Sequence, residues 1–326
     1  MRSQTFWRLS LAVLGMACHG VAGLGYWIDE DSCNPDMRNA VASAVERGLK
    51  MARAGVTNAN NADRNPAGPE QKLIDNLFGE DPPNAADDKK IKNIIRNMWG
   101  GRFSRITRST RKPSLSQTLD IVIYCDERRL KVRKSNPLKS FDTDTNVVVD
   151  TGDCIGAVAY VTLRGATDLR YNQLQICPAF MNVVLNSPFR TGDQLPTTFW
   201  SKMVSNFVTF VAKIFYTPID ATQLAEKVLL HELTHTEIGG DTEDVGGFFK
   251  AYGWKNCRTL SRTRGDEGGD KNADTWALYG SVSLLIQEQE KTVDTDTGNI
   301  IAITSVTARA IQAVKSAAGR WMNFVA

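Results

Sequence analysis

The chain has 326 residues, 42% of them hydrophobic and 23% charged, with a formal net charge of +3. That is enough apolar material for one large or two modest domains with true cores, so an ordinary globular protein is expected. The small net charge argues against a nucleic-acid binder. Two basic runs, Arg102 to Lys112 and Arg128 to Lys139, are not interleaved with aromatics as a nucleic-acid groove would be. They read as solvated surface, with a partner or cell-wall contact, or processing near Arg128-Arg129, as the alternatives.

At the N-terminus, Arg2 and Arg8 flank the apolar run Leu9 to Cys18, and small residues follow to Val21-Ala22-Gly23. Charge, apolar run and small residues in that order predict a secretory signal peptide over 1–23. The run is shorter than the ~20 residues a membrane span needs, so a soluble, secreted, extracellular protein without membrane contact is expected. Secretion leaves Cys33, Cys125, Cys154, Cys177 and Cys257 in an oxidising compartment. Five cysteines allow at most two bridges within the chain and one left over, with the pairing open.

Beyond the signal, Met37, Val41, Ala44, Val45, Leu49 and Ala52 predict an amphipathic helix over 36–54. Val56 to Asn61 and Gly79 to Asp88 read as loops, and Pro82-Pro83 closes the second. Ile91, Ile94, Ile95 and Met98 mark a short helix over 89–98. Leu119 to Tyr124, Val147 to Val149 and Ala157 to Leu163 are β-branched runs that predict a small sheet. Gln175 to Met181 is a further short apolar piece, and Phe199 to Tyr216 is apolar enough for a buried helix.

The next helix carries the chemistry. Asp220 or Thr222 is a cap for a helix through Leu224, Val228 and Leu229 to Ile238, ended by Gly239-Gly240. On it lies His231-Glu232-Leu233-Thr234-His235. Residues four apart share a helix face, so both imidazoles converge on one zinc ion while Glu232 addresses the water beside it. His19, His231 and His235 are the histidines of the whole chain; once the signal is removed, all of them are in this motif. A catalytic zinc commonly has three protein ligands, so the third is a carboxylate. Candidates are Glu237, Asp241, Glu243, Asp244, Asp266, Glu267, Asp270 and Asp274. The glycine turn lets the chain fold back under the metal, which favours Asp244 with Asp241 as its rival.

The set His231-Glu-Leu-Thr-His235, Thr242-Glu-Asp244, Tyr252-Gly253 and Asn272-Ala-Asp274-Thr-Trp-Ala-Leu-Tyr279 resembles the aspzincin metallopeptidases, the deuterolysin and peptidyl-lysine metalloendopeptidase group. The resemblance covers about residues 171 to 286, Ile176-Cys-Pro-Ala-Phe180 included. It implies Asp244 as third zinc ligand and Tyr252 as the group that steadies the oxyanion. In this chain the Tyr-Gly pair comes later than in the family's G-T-x-D-x-x-Y-G pattern, where Gly247 takes the tyrosine's place. Asp274 corresponds to one of two acidic residues that line a lysine pocket in some members; Ala277 stands at the second.

The implied fold is α+β: a mostly helical, zincin-like metallopeptidase domain with a small β-sheet, its zinc helix packed on a second long helix, Asn272 to Gln289. Residues 24–170 are either the N-terminal portion of the catalytic unit or a pro or accessory region, 171–290 the metallopeptidase core, and 291–326 a tail with a helix over 307–318. The expected function is hydrolysis of protein or peptide substrates by a monomer, through a zinc-bound water with Glu232 as general base. The alternative is a secreted zinc-binding protein without catalysis.

Overall fold

The computed structural model describes residues 25–303 except 102, 111–120, 152–153, 155–156, 164–170, 187–216 and 264–266. The signal segment, the apolar stretch Phe199 to Tyr216 and the tail over 307–318 lie outside the described residues. Helices and sheets are both well represented, as an α+β chain requires.

Strands β1 (Gly25–Ile28), β2 (Thr107–Arg108), β3 (Ile121–Tyr124), β7 (Ala159–Thr162) and β8 (Asn172–Ile176) form one sheet in the order β2-β1-β3-β8-β7. The pairs among β2, β1, β3 and β8 are parallel and β7 is antiparallel to β8. Every residue of β1, β3 and β8 is buried, as strands covered on both faces are. Cys33–Cys125 joins the segments that leave β1 and β3, and Cys154–Cys177 ties the chain after the second sheet to the end of β8. Cys257 is the cysteine left over, and it is buried.

The second sheet is an antiparallel meander of β4 (Leu130–Arg133), β5 (Asn136–Asp142) and β6 (Val147–Asp150). Most of the second basic run lies on it, and Lys131, Arg133 and Lys134 are exposed there. A short pair, β9 (Lys291–Val293) with β10 (Ile300–Ala302), follows the last helix.

Helix α1 spans Pro35–Arg64, with proline in its first turn and the Asn34 side chain accepting the Met37 N–H at 3.0 Å. It runs straight through Val56 to Asn61, a correction to the expected loop. Asn58, Ala59 and Ala62 are buried there, and packing outweighs the weak helix preference of Asn-Ala-Asn-Asn. Helix α2 (Pro69–Phe78) was not expected either, although Pro69 at its start and Leu73, Ile74, Leu77 and Phe78 on its buried face are regular helix signals. Helix α3 (Ile91–Trp99) and α4 (Pro178–Asn186) follow.

Around the motif come α5 (Pro218–Ala221), α6 (Leu224–His235), α7 (Phe248–Ala251), α8 (Trp254–Leu260) and α9 (Ala273–Gln289). Asp220 does not cap α6. It reaches back to the N–H and hydroxyl of Thr217 at the start of α5, and α6 begins after Gln223, which is left-handed at φ 54°. Helix α6 ends at His235 rather than Ile238.

Residues 273 to 286 of α9 are all buried, which makes it the axis of the molecule. Against it lie α1 and α6, which also pack on each other. The three meet closely: a Cβ on Gly48 would come within 3.1 Å of the Glu226 carbonyl, and one on Gly280 within 2.8 Å of Leu230 Cδ2. Trp276 lies 4.8 Å from Phe78 and 5.2 Å from Trp99, centroid to centroid, and the Tyr279 hydroxyl donates to the Gly55 carbonyl at 2.8 Å. One continuous apolar core therefore draws on residues from 26 to 293.

Candidate metal centre

Helix α6 fixes one side of the site by its period alone. His231 and His235, four residues apart, bring their Nε2 atoms to 3.2 Å of each other. After the helix the chain turns sharply: the Thr236 carbonyl accepts the N–H groups of Gly239, Gly240 and Asp241. A Cβ at Gly239 would stand 1.9 Å from the Leu233 carbonyl, so the turn demands glycine there. The return strand is pinned to α6 by Thr242, whose N–H donates to the Thr234 carbonyl and whose hydroxyl donates to that of Thr234 at 2.9 Å.

Asp244 then enters from the loop. Its Oδ1 is 3.2 Å from His231 Nε2 and 3.8 Å from His235 Nε2, and the three ligand atoms lie within 4.8 Å of one another. His231, His235 and Asp244 can together hold a metal ion. Asp241 is exposed on the turn at φ 53° and is not part of the group.

Hydrogen bonding shows why a cation suits this place. The Thr242 carbonyl faces His235 Nδ1 at 2.8 Å, and a carbonyl only accepts, so Nδ1 carries the proton and the Nε2 lone pair points inward. His231 Nδ1 faces the Asp274 carboxylate at 3.6 Å, which sets its ring the same way. Asp244 Oδ1 is buried, and the ring nitrogens of the two histidines are the polar atoms set against it. Three electron-pair donors crowd one point, and a cation among them resolves the repulsion. Burial works against charge on His231, but Asp244 and Asp274 on either side hold its pKa well above the ordinary value. Burial also raises Asp244, yet His231 and His235 draw it far below the usual carboxylate range. His235 is lowered by burial and by His231.

Glu232 is 5% exposed, and burial, with Asp244 adding to it, pushes its carboxyl up to about 7. Tyr252 is in the site despite its shifted place in the sequence. Its ring stacks on His231 at 5.2 Å and 16°, and its hydroxyl donates to Asp244 Oδ2 at 2.8 Å. The extra residues form Gly246-Gly247, both at positive φ, and the single turn α7, which loops out and returns. Burial and the neighbouring Asp244 raise the Tyr252 pKa far above the ordinary phenol value, so the hydroxyl stays protonated.

Sequence reasoning singled out Asp274 but missed the other props of this loop. Asn272, just ahead of α9, accepts the Val245 N–H at 3.1 Å and donates to the Ala251 carbonyl at 2.7 Å, so it grips both ends of the excursion. Glu243 and Asn272 are paired as a parallel bridge. Asp274 is 7% exposed, with Oδ2 accepting the Gly253 N–H at 2.7 Å. Buried Lys227 donates to the carbonyls of Ile219 and Asp220. An asparagine or lysine carries no motif by itself, and only the length of the Asn272-Ala-Asp274 match hinted at them.

No protein-family model, curated protein or solved structure matches the chain. The likeness drawn from residues 171 to 286 rests on those residues alone. Among the described residues, no helix is long and apolar enough to cross a membrane, and the two disulfides fit an oxidising, extracellular type of environment.

Proposed function

We propose that this protein is a secreted zinc-dependent endopeptidase of aspzincin type with a zincin-like core, acting on protein or peptide substrates. The observation that carries the reading is the convergence of three electron-pair donors from His231, His235 and Asp244 beside a buried carboxyl, Glu232, poised near neutrality. Two nitrogens and one carboxylate oxygen are a donor set that suits zinc. Zinc held by His231, His235 and Asp244 would supply a Lewis acid to polarise the scissile carbonyl and acidify a neighbouring water.

The chain's own residues do the rest. Glu232 takes the proton of the attacking water and delivers it to the leaving amine, and a pKa near the working pH suits both transfers. Tyr252, kept protonated, is the donor we assign to the oxyanion that develops on the carbonyl, its hydroxyl turning from Asp244 Oδ2 to do so. Strand β7 is an edge of the main sheet among the described residues and packs against α6; its outer backbone groups are the partners we assign to an extended peptide.

The test is Glu232→Gln. The variant is expected to bind zinc as tightly as the parent and to hydrolyse casein at least ~100-fold more slowly, the lower end for loss of a general base. A variant that cleaves at the parental rate sinks the mechanism. A parent that binds zinc yet cleaves nothing, with or without chelator, favours the zinc-binding protein without catalysis.

A further inference from the structure

Asp274 sits in the first turn of α9, yet its oxygens cap nothing in that helix. Oδ1 faces His231 Nδ1 at 3.6 Å, and Oδ2 accepts the Gly253 N–H at 2.7 Å. Gly253 directly follows Tyr252, the residue stacked on the His231 ring and bonded to Asp244. One carboxylate thus reaches the metal group by two routes: directly through His231, and through the Tyr252-Gly253 junction to Asp244. Its base is rigid, because α9 is buried along most of its length. Cys257 Sγ at 3.7 Å and the buried Lys227 cation complete its surroundings.

The resemblance to lysine-specific peptidases implies that this carboxylate lies open to a substrate side chain. The geometry points to another role. We propose that Asp274 is a positioning residue: it holds His231 as the Nδ1–H tautomer with Nε2 towards the metal, clamps Tyr252 over that ring, and does not read the substrate. The inference rests on the metallopeptidase reading above. With Oδ2 bonded to the Gly253 N–H, Oδ1 turned to the His231 ring at 3.6 Å and the side chain 7% exposed, the carboxylate is turned to the protein and not to a lysine ammonium. Any preference for basic residues would have to come from other groups.

The experiment uses the full secreted chain, the parent beside Asp274→Asn. The near-isosteric amide can accept from His231 or from the Gly253 N–H, but not from both without turning its NH2 on one of them. Zinc affinity, read by competition with a chromophoric chelator, is expected to fall ~10–100-fold, the range for groups that orient a ligand histidine. In a peptide library, kcat should fall with KM little changed, and the residues accepted on either side of the cleaved bond should be those of the parent. Unchanged zinc affinity, or a lost preference for basic residues at parental affinity, overturns the proposal. A second measurement needs no variant: long-range 1H–15N spectra of the zinc-loaded parent should show His231 protonated at Nδ1, and a proton at Nε2 instead overturns it. A parent that takes up no zinc fails the metallopeptidase reading itself, which separates that failure from this one.

Discussion

The two walls of the metal centre are built on different principles. On the helix wall, His231, Glu232 and His235 are placed by the pitch of α6, and the helix is itself wedged between α1 and α9. On the loop wall, Asp244 and Tyr252 stand on irregular chain with two glycines at positive φ between them, held by a few hydrogen bonds of Thr242, Asn272 and Asp274. Periodic structure places several groups at once; irregular structure needs one anchor for each group. The loop wall is therefore where single substitutions should move the metal without touching it.

The sharpest way to break the contrast is at the ligand itself. Asp244→Ala should lower zinc affinity by more than ~100-fold, beyond the usual cost of a supporting residue, while Asp241→Ala should leave it unchanged; equilibrium dialysis of both variants checks this. A reversed result would move the third ligand to the turn. Next in size is Asn272→Ala, which strands the buried Val245 N–H and leaves the Ala251 carbonyl only the Cys257 thiol as donor. Denaturant unfolding should show a loss of about 1–3 kcal/mol, the range for one unsatisfied buried group, and zinc affinity should fall less than in Asp244→Ala. A stability loss without any change in zinc binding would show that the loop wall keeps its shape unaided.

The gentlest probe is pH. Glu232 works as a base only when ionised, and its pKa is raised to about 7 by burial. Hence kcat/KM should hold at high pH and fall as pH drops. The midpoint lies at or below about 7, because a cation on the neighbouring ligands draws the carboxyl down. In Asp274→Asn that limb should persist, since the base is on the helix wall. A profile flat down to pH 4 would remove Glu232 from the proton transfers.

What could be read beforehand follows the same division. The histidines and Glu232 are legible because five adjacent residues on one helix encode their own geometry. Asp244 was reachable through the glycine turn and the motif around it. The contact of Asp274 with His231 was not, because it joins the starts and ends of separate helices through tertiary packing. In the frame, α9 was found nearly to the residue, since Asn272 starts it and apolar residues fill it. Strands β1 and β8 escaped: Gly-Tyr-Trp-Ile shows no alternation of polar and apolar positions, and Asn-Gln-Leu-Gln-Ile alternates but is short, with Ile176 as its one β-branched residue. The meander of β4 to β6 was only partly seen, because the charges of β4 and β5 mask its pattern. The cysteine count correctly limited the bridges to two, but not which partners they join.

Gly48 and Gly280 have a consequence beyond packing. They let α1 and α9 close on α6 from two sides at Glu226 and Leu230, leaving that helix no space to slide or tilt. The histidines thus ride on a part with almost no mechanical compliance. If the mouth of the site widens for a bulky chain segment, the give is in residues 246 to 250, where the backbone leaves the core and exposes Phe249. The protein divides labour between an anvil that does not yield and a jaw that can.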